Sequence, residues 1–368
     1  MEKSKVYYMD MRSTLNENLQ KKLARLVKKA GMLDKIDFEG KYTAIKIHFG
    51  EPGNLSYLRP NYAKVIVDLI KEQGGNVFLT DCNTLYVGRR SNALAHLDAA
   101  YENGYNPFTT GCQIIIGDGL KGTDETWVPI DGEYVKQAKI GRAVMDADII
   151  ISMNHFKGHI GAGFGGALKN LGMGCGSRAG KMEMHSAGKP IVAEKHCVGC
   201  GVCIKNCAHD AITITNGKAT IHHDRCAGCG RCIGECPKNA VKAAGDESAD
   251  ILNCKIAEYT YAVIKDRPNF HINFVIDVSP SCDCHPYNDA PIVPNVGVFA
   301  SFDPVALDLA CAEAVNGQPI LKASALEQSE YDLGDYFKNV HPNTNWTAAI
   351  EHGVKLGMGS KDYELIKI

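Results

Sequence analysis

The order of apolar and polar residues predicts an α/β protein: an open, mainly parallel sheet with helices on both faces, interrupted by an inserted α+β unit rich in cysteine. Three observations carry that expectation. Short β-type runs alternate with amphipathic helical stretches up to residue 155, the pattern of a parallel sheet covered on both sides. The alternation stops at Lys189-Pro190, gives way to eight closely spaced cysteines, and resumes after Ala243-Ala244-Gly245. The strand-type runs also end repeatedly on polar or ionisable residues, at the edge where open α/β sheets bind ligands.

Taken in order, residues 6–9 read as the first strand. Residues 15–30 read as a helix with Leu19, Leu23, Leu26 and Val27 on one face, stopped by Gly31. A strand over 44–47 leads to His48 and Glu51, and a helix over 61–73 follows, opened by Pro60 and closed by Gly74-Gly75. The strand over 77–80 ends at Asp81, just before Asn83. A helix is expected over 89–103, a strand over 113–116 ending at Asp118, extended chain over 127–130, and a strand over 147–152 ending at Asn154-His155. Beyond the cysteines come a helix over 249–265, a strand over 271–276 ending at Asp277, and a strand over 296–300. A helix to Asn316 is N-capped by Asp303 with Pro304 at its first position, and the last helix covers 346–356. The chain thus divides into 1–189 and 246–368, two parts of one α/β domain, around an insert at 190–245.

Composition narrows the function classes. A chain of 368 residues with 45% hydrophobic and 22% charged residues has ample material for a buried core. A formal charge of −2 and no Lys/Arg-rich block give no attraction to nucleic acid. Met1-Glu2-Lys3-Ser4-Lys5 opens no apolar signal region, and no run approaches the roughly 18 apolar residues of a membrane span. Fifteen cysteines without a secretion signal point to thiolate metal ligands in a reducing cytoplasm, and in an oxygen-poor host.

The cysteines have a rhythm. Cys197, Cys200, Cys203 and Cys207 are spaced C-x-x-C-x-x-C-x-x-x-C, and Cys226, Cys229, Cys232 and Cys236 repeat it before Pro237. This is the run of a dicluster ferredoxin-like domain, in which the fourth cysteine of each half ligates the other cluster. The expected sets are Cys197, Cys200, Cys203 and Cys236 for one 4Fe–4S cluster, and Cys226, Cys229, Cys232 and Cys207 for the second. Gly199, Gly201, Gly228 and Gly230 suit the tight wrapping such sites demand. Ala208 stands where a proline often follows the fourth cysteine.

The second informative stretch runs from His155 to His185. Gly161, Gly163 and Gly166 formally match G-x-G-x-x-G, but they lie seven residues beyond the strand, and no strand ending on an acid follows at about twenty residues. The segment reads better as a glycine-rich loop (Gly163, Gly165, Gly166) facing an anion or cofactor, with Lys157 and Lys169 supplying charge. In extended chain His155, Lys157 and His159 point to one side, as a proton-donor pair with an electrostatic clamp; the bland alternative has the histidines capping loops and the lysines pairing with carboxylates. His48 and Asp81 would join them in the crevice. Of the remaining cysteines, Cys112, Cys254 and Cys311 read as core residues. Cys282 and Cys284, in C-D-C-H, read as a packed or reactive pair or as a further metal site completed by Cys175 or Cys82.

These motifs together resemble the iron–sulfur centre proteins of the domain-of-unknown-function family 362. The residues that carry the resemblance are I-K-I-H-F-G-E-P-G-N (45–54), L-T-D-C-N-T-L-Y (79–86), H-F-K-G-H (155–159), G-F-G-G-A-L-K-N-L-G-M-G-C (163–175), S-P-S-C-D-C (279–284) and D-P-V-A-L-D (303–308). The resemblance implies an α/β domain with a two-cluster insert and implies no reaction. H-x-x-x-G-F-G-G-x-L-K is also similar to the glycine-rich segment of nickel-pincer lactate racemases, which implies an organic or metal cofactor near His155, Lys157, His159 or Lys169. The resulting expectation is an oxidoreductase passing electrons through two 4Fe–4S clusters to a small molecule, or to a bound cofactor such as a flavin, in the crevice. A redox partner protein or a small-molecule acceptor would complete it. The rivals are an electron carrier or docking subunit without catalysis, and a metallocofactor assembly protein.

Overall fold

Parallel pairing brings the ends of distant strands to one edge of the molecule. The computed structural model describes residues 3–186, 189–244 and 247–368; Met1 and Glu2, and the expected exit from the insert at Gly245 and Asp246, lie outside the described residues. The main sheet has eight strands: β1 (Ser4–Asp10), β2 (Tyr42–Lys46), β3 (Asn76–Asp81), β4 (Gln113–Ile116), β5 (Ile149–His155), β6 (Asn269–Val275), β7 (Gly297–Ser301) and β8 (Tyr363–Lys367). Their order is β8-β1-β7-β6-β5-β2-β3-β4. Every pairing is parallel except the two made by β7, which runs antiparallel to β1 and β6. Lys46 lies opposite Thr80 on one side and Ser152 on the other, so the chain leaves β2, β3 and β5 at the same edge.

Both faces of the sheet are buried. Ile45, Ile149, Ile151 and Phe274 point into one core, packed against helices α1 (Leu19–Lys29) and α2 (Pro60–Glu72). Their alternates Ala44 and Ile150 point to the other face, covered by α4 (Ala167–Cys175) and α6 (Ala249–Ile264). Further along that face Val275 and Phe299 pack against α7 (Pro304–Asn316) and α8 (Thr347–Lys355). Strand β5 is buried along its whole length, and its first half, Ile149 to Ile151, is an unbroken apolar run for this reason. Helix α3 (Ala93–Glu102) flanks β4, and α5 (Arg178–His185) follows α4. None of the described helices is long and apolar enough to cross a membrane.

Two helices start later than the sequence pattern predicts, and capping explains both. Asn18 accepts the Lys21 N–H, so α1 opens at Leu19 and leaves Leu15 in solvent. Asn92 accepts the Ala95 N–H, so α3 opens at Ala93; the expected first turn, residues 89–92, is irregular chain. That difference matters because it frees Arg90 to turn inward.

The cysteine-rich stretch forms two antiparallel ribbons, Pro190–Val192 with Val241–Ala243 and Ile212–Thr215 with Lys218–Ile221. Two four-residue helices, Val202–Lys205 and Arg231–Gly234, complete it. Gly199, Gly201, Gly228 and Gly230 all adopt the left-handed conformation, with φ of 64°, 75°, 70° and 67°. Ile212, Ala219, Ile233 and Val241 make a separate small core against Leu85 and Met182 of the α/β part.

Candidate active site

The common exit of β2, β3 and β5 borders a cavity of about 590 Å³, within the size range of small-molecule sites. Most crevice residues named from sequence line it: His48, Asp81, His155, Lys157, His159, and Gly165, Gly166 and Lys169 of the glycine-rich loop. Gly163 is buried behind them, paired with His159 across a short hairpin (Lys157–His159 with Gly163–Gly165). Arg90, Cys284, Lys181 and His185 line the same cavity. Sequence reasoning assigned no role to Arg90 because it placed that residue inside a helix; its signal was the Arg89-Arg90 doublet following a strand-end loop.

The floor is a buried charge network. Lys46 Nζ stands 3.0 Å from Asp81 Oδ1 and donates to Asn170 Oδ1 at 2.6 Å. Burial works to raise the Asp81 carboxyl, but Lys46 and His96 beside it hold it well below the usual carboxylate range. Arg90 Nε donates to Glu51 Oε2 at 2.7 Å, and its Nη1 lies 3.0 Å from His48 Nε2. Burial, then the Arg90 charge, push His48 far below the ordinary histidine value, so its ring is neutral.

One wall is set by Asp283, the residue between the two cysteines of C-D-C-H. Its oxygens both lie 2.9 Å from His155 Nδ1, and Oδ2 lies 3.4 Å from Lys157 Nζ. His155 Nε2 faces the Ile276 carbonyl at 2.8 Å. With an acceptor at each nitrogen, only the doubly protonated ring satisfies both bonds. His155 and Lys157 therefore anchor the loop carrying Asp283. Burial opposes charge on Asp283, yet these two cations keep it ionised far below the usual range. Lys157 is raised in turn: burial acts against its charge, and Asp283 and the neighbouring cysteines outweigh it.

With Asp283 turned inward, Cys282 and Cys284 come together on the other side. Their sulfurs lie within 4.8 Å of each other; proton sharing between the two thiols, first among several causes, draws Cys284 down to about 6 and pushes Cys282 up to about 12. Lys169 Nζ is 3.8 Å from Cys282 Sγ. The Gly161 and Ala162 N–H groups both donate to His159 Nδ1, at 3.0 and 2.9 Å. The neutral ring consequently carries its proton on Nε2. Burial and then Lys169 hold His159 well below the ordinary value, in that neutral form.

The glycine-rich loop is occupied by its own protein. The first N–H groups of α4, at Ala167 and Leu168, donate to Asp308 at 2.7 and 2.9 Å. They are therefore bonded within the fold and do not face a ligand. Cys82 and Cys175 sit together, the Cys82 thiol 3.4 Å from the Cys175 carbonyl, and neither joins Cys282 and Cys284.

Cys197, Cys200, Cys203 and Cys236 line one void, and Cys207, Cys226, Cys229 and Cys232 another, each of about 20 Å³. Within each set no three of the sulfurs lie within 4.8 Å of one another. Among the described residues the group of metal-ligand atoms lying within 4.8 Å of one another is His159, Cys282 and Cys284. That one three-residue group replaces the expected two 4Fe–4S clusters. Two thiols and an imidazole are donors suited to a soft metal. The hydrogen bonding of His159 does not fit one: a ring that ligates through Nε2 needs a proton on Nδ1, where two backbone donors already point.

A sequence profile described as Domain of unknown function (DUF362) matches residues 43–313, well over half of the chain. No curated protein matches the chain. Solved structures similar to it include the lactate racemase apoprotein from Thermoanaerobacterium thermosaccharolyticum, at 14% identity and a TM-score of 0.38, over 74% of this chain and 51% of that one. A protein from Thermotoga maritima is similar at 14% identity and a TM-score of 0.38, over 73% of this chain and 52% of that one. The chain spans about half the length of either structure. Likeness at that level does not bear on function.

Proposed function

The chain belongs to the DUF362 family, and we propose that it is an enzyme of small-molecule redox chemistry, with its active site in the cavity at the carboxyl ends of β2, β3 and β5. The substrate is a small anion. The observation that carries this reading is the placement of Lys169, which lines the cavity and, among the described residues, forms no ion pair with a carboxylate. Arg90 and Lys157, by contrast, are matched by Glu51 and Asp283. An anionic group entering the cavity would meet an unmatched ammonium beside a thiol pair and a neutral, proton-bearing His159. Charge selects the substrate, the His159 Nε2–H donates a hydrogen bond to charge that develops on it, and the cysteine pair supplies reactivity.

Calorimetric titration with small carboxylates and phosphate tests the anion site. The full chain is expected to bind at least one of them, and Lys169→Met to weaken that binding by roughly 10- to 100-fold, the worth of one charge-assisted contact. Equal binding by the variant, or none by the wild type, rejects the site.

A further inference from the structure

We infer that Cys282 and Cys284 form a two-electron thiol–disulfide couple facing the cavity, and that the small anion it reduces is a disulfide. The inference rests on the anion-site reading above and extends it to a substrate class. Three placements support it. The two sulfurs lie within 4.8 Å of each other, with one residue between them in the chain, Asp283, turned away to His155. Cys284 lines the cavity and is partly exposed, whereas Cys282 is buried behind it at 2% exposure. That is the arrangement of an attacking thiol with a resolving one. The third placement is His159, which has a ring nitrogen within 4.8 Å of the sulfurs and whose two backbone donors fix its proton on Nε2.

The step balances without a metal. The Cys284 thiolate attacks one sulfur of the substrate disulfide; a mixed disulfide forms, and the substrate's S–S bond breaks. The first leaving thiolate accepts a hydrogen bond from His159 Nε2–H and takes the proton of Cys282. Cys282, now a thiolate, attacks the Cys284 sulfur. The Cys282–Cys284 disulfide forms and the second thiolate leaves, taking a proton from solvent; the Cys284 proton lost at the start completes the balance. Two electrons pass from the cysteine pair to the substrate, giving two thiols. A small dithiol restores the reduced pair by the reverse exchange. The anionic groups of the substrate lie against Lys169.

The test uses the full chain, reduced under anaerobic conditions, freed of reductant and mixed with glutathione disulfide as the probe. After alkylation, peptide mass mapping is expected to find a Cys282–Cys284 disulfide and two glutathione thiols released for each one formed. Cys282→Ser should accumulate glutathione on Cys284, and Cys284→Ser should form no adduct in this segment. His159→Ala should slow release of the first thiol by roughly 10²-fold through loss of that hydrogen bond, while circular dichroism verifies the fold of each variant. Absence of the 282–284 disulfide in wild type, or of the trapped adduct in Cys282→Ser, overturns the inference. So does one zinc ion per chain that shields both thiols from alkylation and is lost in His159→Ala. The two readings fail separately. If only the redox couple is wrong, anions still bind in calorimetry but no disulfide forms. If only the anion site is wrong, the disulfide forms equally fast in Lys169→Met.

Discussion

Both carboxylate oxygens of Asp283 lie 2.9 Å from Nδ1 of His155, in a contact closed to solvent on every side. This one relationship ties the end of β5 to the loop that bears both site cysteines, and Lys157 reinforces it. A buried charge with two cationic partners contributes little by existing, but removing it leaves two cations buried and unmatched. Asp283→Asn is therefore expected to lower stability by about 3–5 kcal/mol in denaturant unfolding. A loss below about 1 kcal/mol would show that the loop is held by something else.

Acid should unfold the protein partly through His271. This ring is buried in β6 between Ser152 and Asn269, and burial lowers it from 6.5 to about 3. The folded value lies below the unfolded one, so the unfolded chain binds the proton first. The stabilisation is whole above about pH 6.5 and is lost as pH falls toward 3, at up to about 1.4 kcal/mol per pH unit. Denaturation midpoints of wild type and His271→Gln should accordingly converge as pH drops from 6.5 to 4. Parallel curves would exclude the histidine as a source of acid lability.

Gly158 sits between Lys157 and His159, where a Cβ would run into the backbone carbonyl of Pro280. Because Pro280 begins the turn to Cys282, Gly158→Ala should push the hairpin away from the cysteine loop. The expected stability loss is about 1–3 kcal/mol, as for overpacking in a rigid interior. The spacing of His159 from the sulfurs should grow as well, read as faster alkylation of Cys282. Unchanged alkylation with unchanged stability would mean the backbone yields without cost.

Asp308 caps α4 from a neighbouring helix and also accepts from Asn273 Nδ2 at 2.7 Å. Burial, ahead of its hydrogen bonds, raises its carboxyl to about 6. Asp308→Ala should cost about 1–2 kcal/mol for the lost cap, with more for the stranded Asn273 amide. Asp308→Asn keeps an acceptor without the buried charge and should cost less. Urea unfolding of the pair decides this, and an equal cost for both would count against the capping role.

Much of the framework was legible from local patterns. The alternating apolar runs predict the α/β sheet and most of its elements because periodicity reports which face is buried, whatever it packs against. Caps two or three residues inside the pattern shift helix starts, and at α3 that shift decided whether Arg90 lay on a helix or in the cavity. Cysteine rhythm predicted which sulfurs share a neighbourhood, since Cys236 does stand with the first three and Cys207 with the next three. It did not predict how closely they approach, which depends on side-chain placement.

The crevice shows the division most clearly. Sequence alone determined that His48, Asp81, His155 and the hairpin residues leave strands at a common edge, because parallel order follows from the strand–helix alternation. Tertiary packing decided their states. Asp283 lies 128 residues from His155, and only its arrival turns that histidine into a bound cation and places Cys282 and Cys284 beside His159. A linear pattern records which groups are available. Partner and proton depend on contacts between distant segments, and those exist only once the chain has folded.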